Sequence, residues 1–158
     1  MSYMEVKLLL NKISNLIQQE SSYSKEKSDK HGEVFTPPEL INEMLNQLPR
    51  DVWEDKDKTW FDPCAGKGNF PILILKRLFI HLQEHIPDEQ ERLKHIIEKQ
   101  LYMAEYQRES ADFIDLILSF GGRYKINLYV GDTLNMPDDF FDLTWEERQK
   151  KYPNHVTA

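Results

Sequence analysis

Scarcities narrow the chain first. It holds a single cysteine, Cys64, so no internal disulfide can form and a reducing compartment is expected. No apolar run is long enough to span a bilayer or to act as a secretory leader, so a cytoplasmic protein without a membrane partner is expected. Positive charge is also short: 20 Lys and Arg against 27 Asp and Glu leave a formal net charge of −7. A domain that grips duplex DNA unaided normally shows a basic face, so weak or absent DNA binding is expected of this chain alone. Its densest cationic run, Lys25, Lys27, Lys30 and His31, is interleaved with Glu26 and Asp29 and reads as a solvated linker.

Against these scarcities, 158 residues that are 40% hydrophobic suffice for one real core but not for two large ones. The most informative stretch is residues 60–70, W-F-D-P-C-A-G-K-G-N-F. Apolar Trp60 and Phe61 run into Asp62-Pro63 and a turn bearing Gly66 and Gly68, and apolar residues at helical spacing follow, Phe70 through Phe79. Strand, glycine turn, helix is the expected order. Such a turn lets backbone approach a ligand and aims the N–H groups of a helix start at a negative group, although it also serves simply to bring helix and strand together. A Walker loop is excluded, because Gly66-Lys67 is followed by Gly68 and Asp62 stands where the first glycine belongs. A dinucleotide fingerprint is excluded as well, since the third glycine position is Pro71.

The remaining pattern, D-P-x-x-G-x-G-x-F, resembles the first motif of S-adenosylmethionine-dependent N6-adenine DNA methyltransferases, at Asp62, Pro63, Gly66, Gly68, Asn69 and Phe70. Lys67 departs from it, for a small residue is usual there; a lysine could reach the cofactor carboxylate or point into water. Cys64, inside the same turn, has no histidine beside it in sequence, so a small buried lining residue is expected over a nucleophile.

Upstream, Val6, Leu9, Leu10, Ile13, Leu16 and Ile17 predict an amphipathic helix, followed by a polar loop from Ser21 to Lys30. In G-E-V-F-T-P, Thr36 suits an N-cap, Pro37 the first helical position and Glu39 a capping box, with Leu40, Ile41, Met44, Leu45 and Leu48 as the buried face. The segment also resembles the family's element that closes over the cofactor's methionine moiety, which implies roles for Phe35, Thr36 and Pro37. Residues 51–59 read as a charged surface connection. Downstream, Asp88 with Glu91 predicts a capped helix, and His81 with His85 has the spacing of a metal pair without a companion ligand, so no metal site is expected.

A second strand, residues 101–105, ends in Glu105, placed as the acid that accepts from ribose hydroxyls in doubly wound folds. The resemblance implies that Tyr106 lies on the adenine ring and that Asp132, in the turn after a third strand at residues 126–130, takes the adenine amino group. Thr133 and Leu134 belong to that turn, and Leu134, Met136 and Pro137 could wall the adenine slot. Residues 138–158 hold no Asn/Asp-Pro-Pro-aromatic turn, the family's catalytic element that holds a flipped-out adenine, so no catalytic residue is assigned. Thr144 with Glu147 predicts one further short helix.

The expectation is an α/β, Rossmann-like methyltransferase fold, truncated after its third strand, with strand order third, second, first and an N-terminal helical element. Its parts are residues 1–31 (helix and linker), 32–137 (cofactor domain) and 138–158 (helical or irregular tail). The implied function is the S-adenosylmethionine-binding part of an adenine-specific methyltransferase. Two alternatives stay open: a non-catalytic cofactor-binding module that needs a partner chain, and a nucleotide-binding domain of other chemistry. An open first-strand edge implies a homo-oligomer or a partner subunit docked along it, unless the tail covers it.

Overall fold

The computed structural model describes residues 1–28 and 36–157. At its centre lie three short parallel strands, β1 (Trp60–Asp62), β2 (Leu101–Glu105) and β3 (Asn127–Val130), in the order β1-β2-β3. Trp60 pairs with Leu101 and Glu105 with Val130, so the C-terminal ends of all three strands lie at one end of the sheet, with Asp62 and Glu105 closing β1 and β2 and Asp132 two residues beyond β3. Alternation along the strands sorts side chains to two faces. Leu101, Met103, Leu128 and Val130 enter the main core, while Ala104 and Tyr129 enter a second, smaller one.

The main core lies under helices. α4 (Asn69–His81) leaves the glycine turn and buries Ile72, Leu75, Leu78 and Phe79. Around it pack α1 (Tyr3–Ser28), through Val6, Leu10, Ile13 and Ile17, and α2 (Pro38–Asn46), through Ile41 and Leu45. A buried aliphatic side chain of this size contributes about 1.5–3 kcal/mol, so this cluster carries most of the fold. α5 (Glu89–His95) runs into a π-helical turn (Ile96–Gln100) before β2, and α6 (Arg108–Leu118) packs on β2 and β3. Asp88 caps α5 by accepting from the Glu91 N–H at 2.8 Å, as expected.

The second face is covered by residues 136–156, in which Phe140, Met136 and Val156 pack on Tyr129 and Ala104. Here α7 (Trp145–Lys151) starts at the expected capping box, with Thr144 and Glu147 bonding each other's backbone. Arg148 is buried and donates to the carbonyls of Phe140 and Phe141 and to Asn127 Oδ1, which ties α7 to β3. Beyond α7, His155 stacks on Tyr129 and hydrogen-bonds the Val130 carbonyl, while Arg108 donates to the carbonyls of Asn154 and Val156. The tail is therefore tied mainly to β3 and reaches β1 through Phe141, whose ring packs edge-on against Phe61, and among the described residues no strand pairs with the outer edge of β1.

Several expectations are corrected. α1 does not end at Ser21 but continues to Ser28, because no glycine or proline interrupts the Gln, Glu, Ser and Lys residues there. The linker residues 29–31, and Gly32 to Phe35, lie outside the described residues. Thr36 is not an N-cap. Pro38 forces its predecessor into extended backbone, so Pro37, at φ −61° and ψ 147°, becomes the cap and the helix starts one residue late. Leu40, Met44 and Leu48 stay exposed, since α2 meets α4 along only one stripe. Residues 51–59 are not wholly a surface connection: α3 (Asp51–Glu54) buries Trp53, which stacks on Trp60 with ring centroids 4.5 Å apart.

Candidate functional site

Three turns meet at the C-terminal ends of the strands. The turn after β1 is hooked to β2 by the Ala65 N–H, which donates to the Ala104 carbonyl at 3.0 Å, and by the Gly66 N–H, which donates to Glu105 Oε2 at 2.5 Å. Glu105 is only 7% exposed and also accepts from the Gln107 N–H through Oε1. The Gly131 N–H donates to the Glu105 carbonyl at 2.9 Å, and the Thr133 hydroxyl donates to the Pro63 carbonyl at 2.6 Å. The outer two turns are thus bonded to each other and to the middle one. Asp132 caps a short 3-10 turn, accepting from the Leu134 N–H and from Asn135 Nδ2.

Local conformation follows from glycine. Gly68, at φ +98°, is the N-cap of α4 and supplies no side-chain cap. A Cβ there would point inward to Ile17, Ile114 and Leu118 at 3.7 Å, so backbone conformation, rather than room for a ligand, is what this position demands. At Gly66, φ +58°, a Cβ would meet nothing within 4 Å and would point into open space.

Electrostatics single out Asp62. Its Oδ1 accepts from the Cys64 N–H at 3.0 Å, while its Oδ2 is enclosed and has no hydrogen-bond partner among the described residues. Desolvation pushes its carboxyl above the ordinary aspartate value of 3.8, and the Cys64 bond only partly opposes this. An enclosed, unpartnered carboxylate oxygen at the mouth of a glycine turn is an acceptor set for a donor from outside the fold.

The structure separates the sequence-predicted residues. Asp62, Pro63, Gly66, Glu105, Asp132 and Thr133 are brought together by the bonds above. Tyr106 and Leu134 stand open at 74% and 93% exposure, as unpartnered walls of the same end. Asn69 and Phe70 open α4, where Asn69 Nδ2 donates to Ser21 Oγ at 2.8 Å and so points toward α1. Thr36 and Pro37 lead into α2 and make no hydrogen bond to the turn among the described residues. Phe35 lies outside them.

Two expectations change here. Cys64 is exposed rather than a buried lining residue; its N–H turns back to Asp62 Oδ1 just past the end of β1. Lys67 does not point into water; it is 8% exposed, with its ammonium 5.5 Å from the centre of the Phe113 ring. No cluster of metal-ligating residues exists among the described residues. A cleft of about 470 Å³ opens at the opposite ends of the strands, lined by Tyr102, Phe141 and Trp145, and none of the predicted site residues borders it. Sequence reasoning missed the Thr133 to Pro63 bond, which pairs positions 70 apart, and its only signal was a hydroxyl beside the acid of the third turn.

The N-6 DNA methylase family model matches residues 17–150, which takes in all three strands and their turns. The chain belongs to the N-6 DNA methylase family. Similar proteins include an uncharacterized adenine-specific methylase of Mycoplasma pneumoniae, 45% identical over 73 residues, or 44% of this chain. Another is the type II methyltransferase M.VspI of a Vibrio species, 40% identical over 60 residues, or 38% of this chain. The matched stretches span 17% and 14% of those two methylases, so the chain matches only a small part of either.

Proposed function

We propose that this chain is the S-adenosylmethionine-binding part of an adenine-specific DNA methylase, with the cofactor lying across the C-terminal ends of β1, β2 and β3. The observation that carries it is Asp62 Oδ2, enclosed and unpartnered beside a glycine turn in a member of this family. The residues present fit the group. Asp62 would accept from the ammonium of the methionine moiety, Glu105 from the ribose hydroxyls and Asp132 from the adenine amino group, while Tyr106, Leu134 and Met136 would flank the ring. Pro63, Cys64, Asn69, Phe70 and Thr133 shape the turns around it, and Phe35, Thr36 and Pro37 would approach from the α2 side. The cofactor supplies an electrophilic methyl group; the side chains hold and orient it.

DNA is the expected substrate of the complete enzyme, and no described residue forms the turn that would grip its adenine. No helix among the described residues is long and apolar enough to cross a membrane, and a cytoplasmic location fits the single cysteine. Photo-crosslinking with methyl-tritiated S-adenosylmethionine tests the placement. Label should map to peptides containing residues 60–70, 105–107 and 131–137. Label spread evenly, or concentrated at the Tyr102 and Trp145 cleft, would contradict it.

A further inference from the structure

Lys67 lies between two glycines in left-handed backbone, Gly66 and Gly68, and this setting turns its side chain inward, where the apolar stem is buried and carries the ammonium with it toward α6. The ammonium rests near the face of Phe113 on α6 and meets no hydrogen-bond acceptor and no carboxylate among the described residues. A ring face returns only part of the hydration lost by a side chain that is 8% exposed, and the ammonium, which is not sealed from solvent, keeps donors within reach of a ligand. Directly after it, α4 begins without a side-chain cap, the N–H groups of Asn69 and Phe70 meet no acceptor among the described residues, and Pro71 has none to give. A thirteen-residue helix starts here, and its positive end adds to the same field. At the start of the turn Asp62 offers the opposite polarity, an enclosed acceptor without a donor.

An acceptor at one end of the turn and an ammonium with free N–H groups at the other match a zwitterion, the ammonium and carboxylate of an α-amino acid. They do not match a polyphosphate, which Asp62 would repel. Resting on the cofactor reading above, we propose that Lys67 is a specificity-determining residue that, with the first N–H groups of α4, binds the α-carboxylate of the methionine moiety. It selects ligands with an intact amino-acid end against those that lack the carboxylate.

Calorimetric titration of the full chain with S-adenosylmethionine and with decarboxylated S-adenosylmethionine, which keeps the ammonium, tests this. Wild-type protein should prefer the intact cofactor by about 10- to 100-fold, the scale of a charge-assisted hydrogen bond. Lys67→Met keeps the stem over Phe113 and removes the charge. It should erase most of that preference by weakening the intact cofactor alone, and Lys67→Arg should keep it. Equal affinity of wild type for both ligands overturns the assignment without needing any variant to fold, as does a Lys67→Met loss equal for both. Binding of ATP that disappears in Lys67→Met would put a phosphate there instead and overturn it. Wild-type protein that binds neither adenosyl ligand overturns the cofactor reading, and this inference with it.

Discussion

Glu105, at the end of β2, accepts the Gly66 N–H from the turn after β1 at 2.5 Å, so the acid expected to hold a ribose also holds the glycine turn in shape. Oε2 fixes the turn, and Oε1 fixes the entry to α6 through Gln107. Glu105→Ala should weaken S-adenosylhomocysteine binding by about 1–3 kcal/mol and also lower the melting temperature, because two partly buried N–H groups lose their acceptor. Asp132→Ala, whose local partners lie in an exposed turn, should weaken binding with a smaller effect on melting. Calorimetry and thermal melts on the two variants check the contrast; a Glu105→Ala protein as stable as wild type would refute the structural half.

Asp62 predicts an opposition between stability and binding. Its carboxyl is raised by burial, so its protonated form is favoured in the folded state. That contribution is fully present below the ordinary value of 3.8 and is lost as pH rises through the raised value. Asp62→Asn should thus melt above wild type at neutral pH, converge with it below about pH 4, and bind cofactor more weakly. Melting curves at pH 3 to 8 with parallel titrations would show it; a variant less stable than wild type at pH 7 would mean that Asp62 has a donor.

The glycines of the turn should fail differently. Gly68→Val forces a branched residue to φ +98°, a strain of about 1–3 kcal/mol, and its readout is folding. Gly66→Ala places a Cβ in open space at φ +58°, costing about 1–2 kcal/mol, and should lose cofactor affinity while still folding. Circular dichroism melts and titrations separate the two. Normal cofactor affinity in folded Gly66→Ala would remove the turn from the site.

Arg148→Met should release the tail. Three acceptors lose their donor, for a loss of about 3 kcal/mol, and melting should fall by roughly 6–12 °C. Limited proteolysis should then cut first within residues 136–157, with α1 to α6 still protected. Cleavage starting in the main core would show instead that the two faces unfold together.

Much of this was legible because it is local. The glycine turn, the acids ending two strands, the N-cap at Asp88 and the capping box at Thr144 are each written within four or five adjacent residues, and the strand order follows from right-handed crossovers. What escaped depends on partners distant in sequence. Arg92 is buried because the carbonyls of Phe79, Ile86 and Pro87 receive its guanidinium, Trp53 because Trp60 offers its face, and Lys67 because two left-handed glycines turn it inward. Thr36 escaped for a local reason, since the second proline of its Pro-Pro pair moved the cap. Within the site, residue types were readable from the motif, whereas the bonds from Glu105 to Gly66 and from Thr133 to Pro63 required the sheet.

β1 leaves an edge unpaired among the described residues, with Phe61 half exposed beside Phe141. Association along that edge is expected, through a second copy or a further polypeptide segment. Light scattering should show a concentration-dependent increase in mass that Phe61→Lys abolishes; a clean monomer at high concentration would count against self-association.

The central claim is cofactor binding at the ends of the three strands, and calorimetric titration of the wild-type chain with S-adenosylhomocysteine, with ATP as the control ligand, tests it most directly. The account predicts one site of micromolar or tighter affinity for S-adenosylhomocysteine, lost in Gly66→Ala, and no heat with ATP. Saturable binding of ATP, or no binding of the adenosyl ligand by folded protein, would contradict it.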